Sequence, residues 1–145
     1  MPRIEVTARS TAPAERVWAL LADARGWPAW SPFESASLER EGAPQPDGVG
    51  AIRRFTYGKT VTRECVEAFE PPHWLAYHLL SGLPVREYRA DVTLRAAPDG
   101  GTEITWQSRY EPLVPGTGWL VKRRLEPFIA EVAERLARRA ESSSP

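Results

Sequence analysis

The sequence predicts an α+β fold in which a curved antiparallel sheet closes over one long C-terminal helix. Three observations predict it. Near the end of the chain, Leu125, Phe128, Ile129, Val132 and Leu136 recur at helical spacing, with Arg and Glu on the opposite side. The middle of the chain alternates apolar and polar residues at the period of a strand, broken at "YGKT", "EPPH", "SGLP" and "APDGG". Matching the hairpins then puts apolar residues on one face and charges on the other. An antiparallel sheet with one wet face needs a cover for its other face, and the terminal helix carries the long apolar stripe that supplies it.

The elements follow in order. Residues 3–9, "RIEVTAR", set Ile4, Val6 and Ala8 against polar neighbours, as in a half-buried strand. Pro13 then suits a helix start, Glu15 its first turn, and Ala14, Val17, Trp18 and Leu21 its apolar stripe, with Gly26 as the expected stop. "GWPAWSPF" follows, a broken segment that places Trp27, Trp30 and Phe33 three apart around Pro28 and Pro32. A weak strand and a Pro/Gly-rich turn lead into strands that run to about residue 112. From about Pro115 to Glu141 the pattern is helical, and Pro127 within it removes a backbone bond and predicts a kink. One domain over 1–141 is expected, with a flexible tail at 142–145.

Strand faces come from register. A two-residue turn at Gly58-Lys59 pairs Phe55 with Thr62, Arg53 with Glu64 and Ala51 with Val66. A four-residue turn at 81–84 pairs Tyr77 with Tyr88 and Leu75 with Ala90. A five-residue turn at 97–101 pairs Leu94 with Ile104, Val92 with Trp106, Ala90 with Ser108 and Tyr88 with Tyr110. The last two registers agree on a concave face of Leu75, Tyr77, Tyr88, Ala90, Val92, Leu94, Ile104, Trp106, Ser108 and Tyr110. Glu87, Arg89, Asp91, Glu103, Gln107 and Arg109 take the wet face.

Composition narrows the function classes. Lys plus Arg equal Asp plus Glu at 19 each, so no global field recruits nucleic acid or an anionic membrane. The single Cys65 cannot close an internal disulfide, which fits a reducing compartment. No secretory h-region or bilayer-length apolar run is present, and a cytoplasmic protein without membrane insertion is expected. His73 and His78 fall on opposite sides of a strand, so no metal site is expected. The glycines near 48–50 do not lead into a helix as a phosphate loop would, so no nucleotide cofactor is expected either. Lys122, Arg123 and Arg124 read as a solvated helix face.

Several stretches together resemble the START/Bet-v-like SRPBCC superfamily, and within it the polyketide cyclase/dehydrase branch. They are the opening "IEVTARSTAPAERVWALLADARGWPAW", the strand "GVGAIRRF", "VEAFEPPHWLAYHLLSG", and "GGTEITWQSRYEP" before the terminal helix. The resemblance covers nearly the whole chain. It implies a helix-grip fold, with two short N-terminal helices and a deep internal cavity for a hydrophobic, aromatic or polyketide-like molecule. It also implies that only some members are catalysts. Trp30 and Phe33 resemble residues that line or gate the cavity mouth, although burial as lids on the core explains them as well. For Trp27, next to the helix end, the core is the expected place.

The sharpest candidates are Arg53 and Glu64, charges placed on the concave face, where burial is costly unless they are paired. Tyr77, Tyr88 and Tyr110 form a row of phenols with Ser108 beside them. Phenols can hydrogen-bond enolates or carbonyls and donate protons, and ordinary amphipathic packing would also place them there. In an enzyme, Arg53, Glu64 and Tyr88 would be the catalytic residues: Arg53 would anchor a carbonyl or enolate, Glu64 would act as acid/base and the tyrosines would position the chain. The chemistry would be cyclisation, aromatisation or dehydration without a cofactor. Phe55, Trp106, Phe128 and Val132 would join Trp30, Phe33, Tyr77, Ser108 and Tyr110 around the ligand. The alternative is a non-catalytic carrier or sensor of lipid or quinone type, monomeric or homodimeric. A docking module of the ATPase-activator kind would need an apolar stripe on the wet face, and none is seen.

Overall fold

Alternation of apolar and polar residues becomes a sheet with one dry face because successive strand side chains point to opposite sides. The computed structural model describes residues 2–142. In chain order it contains β1 (Arg3–Ser10), α1 (Ala14–Ala22), a 3-10 helix (Ala24–Ala29), β2 (Ser35–Arg40), β3 (Ile52–Tyr57) and β4 (Thr60–Glu70). It continues with β5 (Trp74–Ser81), β6 (Val85–Ala96), β7 (Thr102–Pro112) and α2 (Gly118–Ser142). The strands form one antiparallel sheet in the order β1-β7-β6-β5-β4-β3-β2. The curved sheet and long helix are the helix-grip arrangement expected.

All ten residues expected on the concave face are buried, and the expected wet face is exposed or half-exposed. α2 covers the concave side with Ile129, Val132, Ala133, Leu136, Ala137 and Ala140. Leu125 and Phe128 are only half-buried, toward the helix's N-terminal half. Ser10 clamps this layer: its hydroxyl donates to the Ala137 carbonyl at 2.9 Å and accepts the Ala12 N–H at 3.1 Å. One hydroxyl thus joins β1 to α2 and turns the chain into α1. α2 runs unbroken through Pro127. Ser142, expected in the tail, is the last residue of α2, and 143–145 lie outside the described residues.

Some expectations are corrected. α1 ends at Ala22, before Gly26, and the chain continues as a 3-10 helix through Gly26 and Pro28. The Trp27 carbonyl closes that helix by accepting the N–H groups of Trp30 and Ser31 at 3.1 and 2.8 Å. The β3–β4 register is as expected, with Arg53 opposite Glu64 and Phe55 opposite Thr62. Gly58 supplies the positive φ of +59° at the first position of the two-residue turn. β5 and β6, however, pair two residues away from expectation, with Tyr77 opposite Ala90 and Leu75 opposite Val92. A two-residue shift keeps every side chain on its face but changes its neighbours.

The cause of the shift lies in the connection. Gly82, at φ +119°, passes so close to β4 that a Cβ there would lie 2.3 Å from the Val61 carbonyl oxygen. A bulge between Arg86 and Arg89 takes up the extra length, with Glu87 at φ 54°. The same bulge removes the direct pairing of Tyr88 with Tyr110, although their rings still stack at 6.2 Å.

Candidate functional site

Between the concave face and α2 lies a cavity of about 530 Å³. Its wall is largely apolar, with Trp27, Phe33, Leu79, Trp106, Phe128 and Val132 among its residues. The opening is marked by wall residues that are also exposed, among them Tyr57, Thr60, Pro84, Leu120 and Arg124.

Polar groups enter the wall from β4, β5 and β6. Away from the opening, where Tyr57, Thr60 and Arg124 stand, they are Thr62 and Glu64, Tyr77, and Tyr88. Glu64 accepts a hydrogen bond from Arg53, Nη2 to Oε1, at 2.7 Å. Arg53 itself is 1% exposed and does not form part of the wall. Its guanidinium carbon sits 4.7 Å from the Tyr77 ring centre, 4.8 Å from that of Trp27 and 5.2 Å from that of Phe55, within cation–π range of all three. The cation is held behind the carboxylate it pairs with, and the cavity sees the carboxylate.

Burial pushes the Glu64 carboxyl above its ordinary range, and this outweighs the opposing pull of Arg53. Burial also raises the Tyr77 phenol well above its usual value, with the Glu64 charge adding to the effect. Tyr88 is raised by the same burial, against the pull of its hydrogen bond with Ser108. Both phenols are therefore neutral hydrogen-bonding groups at neutral pH. The Trp106 indole N–H donates to the Tyr77 oxygen at 3.3 Å, which leaves the Tyr77 proton free to be donated elsewhere. The Tyr88 and Ser108 hydroxyls share a bond of 2.8 Å, and the buried Thr62 hydroxyl has no hydrogen-bond partner among the described residues.

The structure brings Glu64, Tyr77, Tyr88, Phe33, Trp106, Phe128 and Val132 to one wall. It does not bring Arg53, Trp30, Phe55, Ser108 or Tyr110 to it. Trp30 is buried against Trp27, ring centres 5.1 Å apart, and is a lid on the core. Phe55 stacks beneath Trp27 and Phe33 at 4.8 Å from each, so it supports the wall from behind. Ser108 holds the Tyr88 hydroxyl, and Tyr110 donates to the Gly118 carbonyl at 3.1 Å. Trp27 is buried in the core as expected and also borders the cavity, with its indole N–H donating to the Leu21 carbonyl at 3.0 Å.

Sequence reasoning also missed Thr62, Leu79, Leu120, Val121 and Arg124 as wall residues. A signal for two of them was present: Leu120 and Arg124 precede Phe128 at steps of four on the same helix. Arg124 is exposed, as expected of a solvated face, and also borders the opening. Among the described residues, no group of three or more His, Cys, Asp or Glu converges as a metal site would require. Among the described residues, no helix is long and apolar enough to cross a membrane.

Residues 1–141 match the family described as polyketide cyclase / dehydrase and lipid transport. Solved structures share the fold at low identity. XoxI from Bacillus cereus superposes with a TM-score of 0.81 at 14% identity, covering 98% of this chain and 97% of its own. A START superfamily protein from Mycobacterium smegmatis gives 0.80 at 16% identity, covering 96% and 97%. The Zhui aromatase/cyclase from a Streptomyces species gives 0.77 at 18% identity, covering 97% and 93%. No curated protein matches the chain.

Proposed function

We propose that this chain, which belongs to the polyketide cyclase/dehydrase and lipid transport family, binds a neutral, largely apolar molecule with a hydroxyl or carbonyl group at its buried end. The observation that carries this reading is the cavity wall itself, which away from the opening with its Tyr57, Thr60 and Arg124 is apolar except for one carboxyl, two neutral phenols and a threonine hydroxyl with no hydrogen-bond partner among the described residues. Such a wall satisfies a ligand that both donates and accepts hydrogen bonds. At the buried end it disfavours a free carboxylate, because the charge there is that of Glu64, with Arg53 shielded behind it and Arg124 out at the opening. An aromatic or polyketide-like ring system suits the Trp27, Phe33, Trp106 and Phe128 surfaces.

A catalytic reading rests on the raised Glu64 carboxyl beside the Tyr77 phenol. Glu64 would move a proton at a ligand carbon or oxygen, and Tyr77 and Tyr88 would hydrogen-bond the enolate oxygen that forms. Arg53 is then a positioning residue acting through Glu64. The carrier reading is favoured by that same shielding, since Arg53 does not reach the wall where enolate charge would develop.

Native mass spectrometry of protein purified from its own host tests the binding reading, with a neutral aromatic or polyketide mass adduct expected. In parallel, a naphthol-type dye should bind at micromolar level, roughly −8 kcal/mol, and quench emission from Trp27 and Trp106. A saturated fatty acid should compete poorly at pH 8. Equal competition by the fatty acid would overturn the neutral-ligand reading, and absence of dye binding would overturn the cavity's role altogether.

A further inference from the structure

We infer that the rim of the cavity mouth is a docking surface for the headgroup layer of an anionic lipid bilayer. Large apolar side chains are costly to leave in water, and a contiguous group of them marks a contact site. Here Trp119 is 65% exposed, Val114 61% and Leu113 51%, and Leu120 is exposed beside them. They belong to the loop before α2 and to its first turn. The Leu113 N–H donates to the Pro84 carbonyl at 3.2 Å, which fixes this loop against the Leu83-Pro84 connection. Leu83, Pro84 and Leu120 are themselves cavity wall residues, so the exposed group surrounds the opening rather than lying apart from it. Tyr57, also exposed, stands across the opening with its ring 5.1 Å from Phe128.

Charge selects the occupant. Between Leu113 and Leu125 the chain carries Lys122, Arg123 and Arg124 and no carboxylate, although the whole chain is neutral. Lys122 and Arg123 follow Trp119 by three and four positions, so indole and cations share one stripe of α2. Lys122 lies 4.0 Å from Glu126, whereas Arg123 is exposed. Lys59 is exposed on the β3–β4 turn between the wall residues Tyr57 and Thr60, where the Glu34 carboxylate accepts the Gly58 N–H, so the cationic part of the rim is that of α2. Apolar tips, an indole, and long basic side chains one turn behind match the order of depths in a bilayer interface, where arginine and lysine extend to phosphates. This inference goes beyond the ligand reading, because it concerns the outside of the opening and holds for any cargo.

The test uses the full chain with sedimented phosphatidylcholine vesicles, with and without phosphatidylglycerol. Binding is expected to need phosphatidylglycerol and to fall several-fold at about 1 M salt, where screening is short-ranged. Trp119→Ala should weaken it by about tenfold, and Arg123→Glu by a similar factor. Leu113→Ser serves as a second apolar variant. None of the three is a wall residue, so naphthol-dye binding should persist in each, and loss of dye binding with vesicle binding intact would indict the cavity reading alone. The inference is overturned if phosphatidylglycerol vesicles do not bind, or if Trp119→Ala and Arg123→Glu leave binding unchanged. A concentration-dependent dimer that Trp119→Ala abolishes would also overturn it, by showing that a second copy covers the rim.

Discussion

Arg53 is a guanidinium with almost no contact with water, held by one carboxylate and three aromatic faces. Its Nε–H has no hydrogen-bond partner among the described residues, so the site tolerates an imperfectly satisfied charge. Arg53→Ala would leave the Glu64 carboxylate buried and unpaired, at a cost of about 3–5 kcal/mol at neutral pH. Chemical denaturation should show that loss, and the Arg53→Met, Glu64→Leu double variant should recover most of it. If ligand affinity recovers together with stability in the double variant, the pair is structural and not part of the site. Acidity gives a second check. Because the folded Glu64 carboxyl titrates above its unfolded value, its contribution is fully present below the unfolded value and is lost as pH rises through the folded one. Wild-type stability should therefore decline relative to Glu64→Gln over that window. The decline should extend to higher pH in Arg53→Ala, where the downward pull of the cation is gone.

At the scale of elements, α2 plays two roles along its length. Beyond Val132 it packs flush on the sheet, with Leu136 fully buried, whereas from Leu120 to Val132 it borders the void. Leu136→Ala should cost about 2–5 kcal/mol because packed neighbours cannot collapse into the gap. Val132→Ala should cost clearly less, since its side chain already faces space on one side, and urea denaturation of the two variants makes the comparison. The β5–β6 connection depends on a single glycine. Gly82→Ala would force a Cβ into the Val61 carbonyl at a φ that L residues rarely adopt, so the backbone must move. A loss of more than about 1 kcal/mol is expected, with the added amide exchange concentrated in β5 and β6.

For the whole molecule, the void is a departure from the close packing that stability alone would favour. Filling it separates the two demands. Val132→Phe, directed into about 530 Å³ of space, should leave the melting temperature unchanged or raised and reduce dye affinity by tenfold or more. A melting temperature that drops steeply would mean that the space is not available to a side chain. Conversely, a bound ligand at about 100 times its Kd should stabilise the wild type by about 2.7 kcal/mol and the filled variant by almost nothing.

Pattern alone determined the fold class, the strand faces and the terminal helix, because these follow from periods of 2 and 3.6 that any local stretch displays. Even the two-residue error in the β5–β6 register left Tyr77, Tyr88 and Ala90 on their faces, since the side-chain period is two. The Arg53–Glu64 pair was legible for the same reason, through a turn only two residues long. Tertiary structure decided which atoms of that face meet the cavity. Arg53 and Glu64 share a face and a register position, yet Trp27 and Tyr77 cover the first and leave the second on the wall. Likewise, Trp27 and Trp30 are three apart in one broken segment, and only Trp27 borders the space. Such outcomes depend on bulges, on a glycine crossing and on side chains arriving from distant elements. Periodicity carries no record of those contacts, because it reports the direction of a side chain and not what stands in front of it.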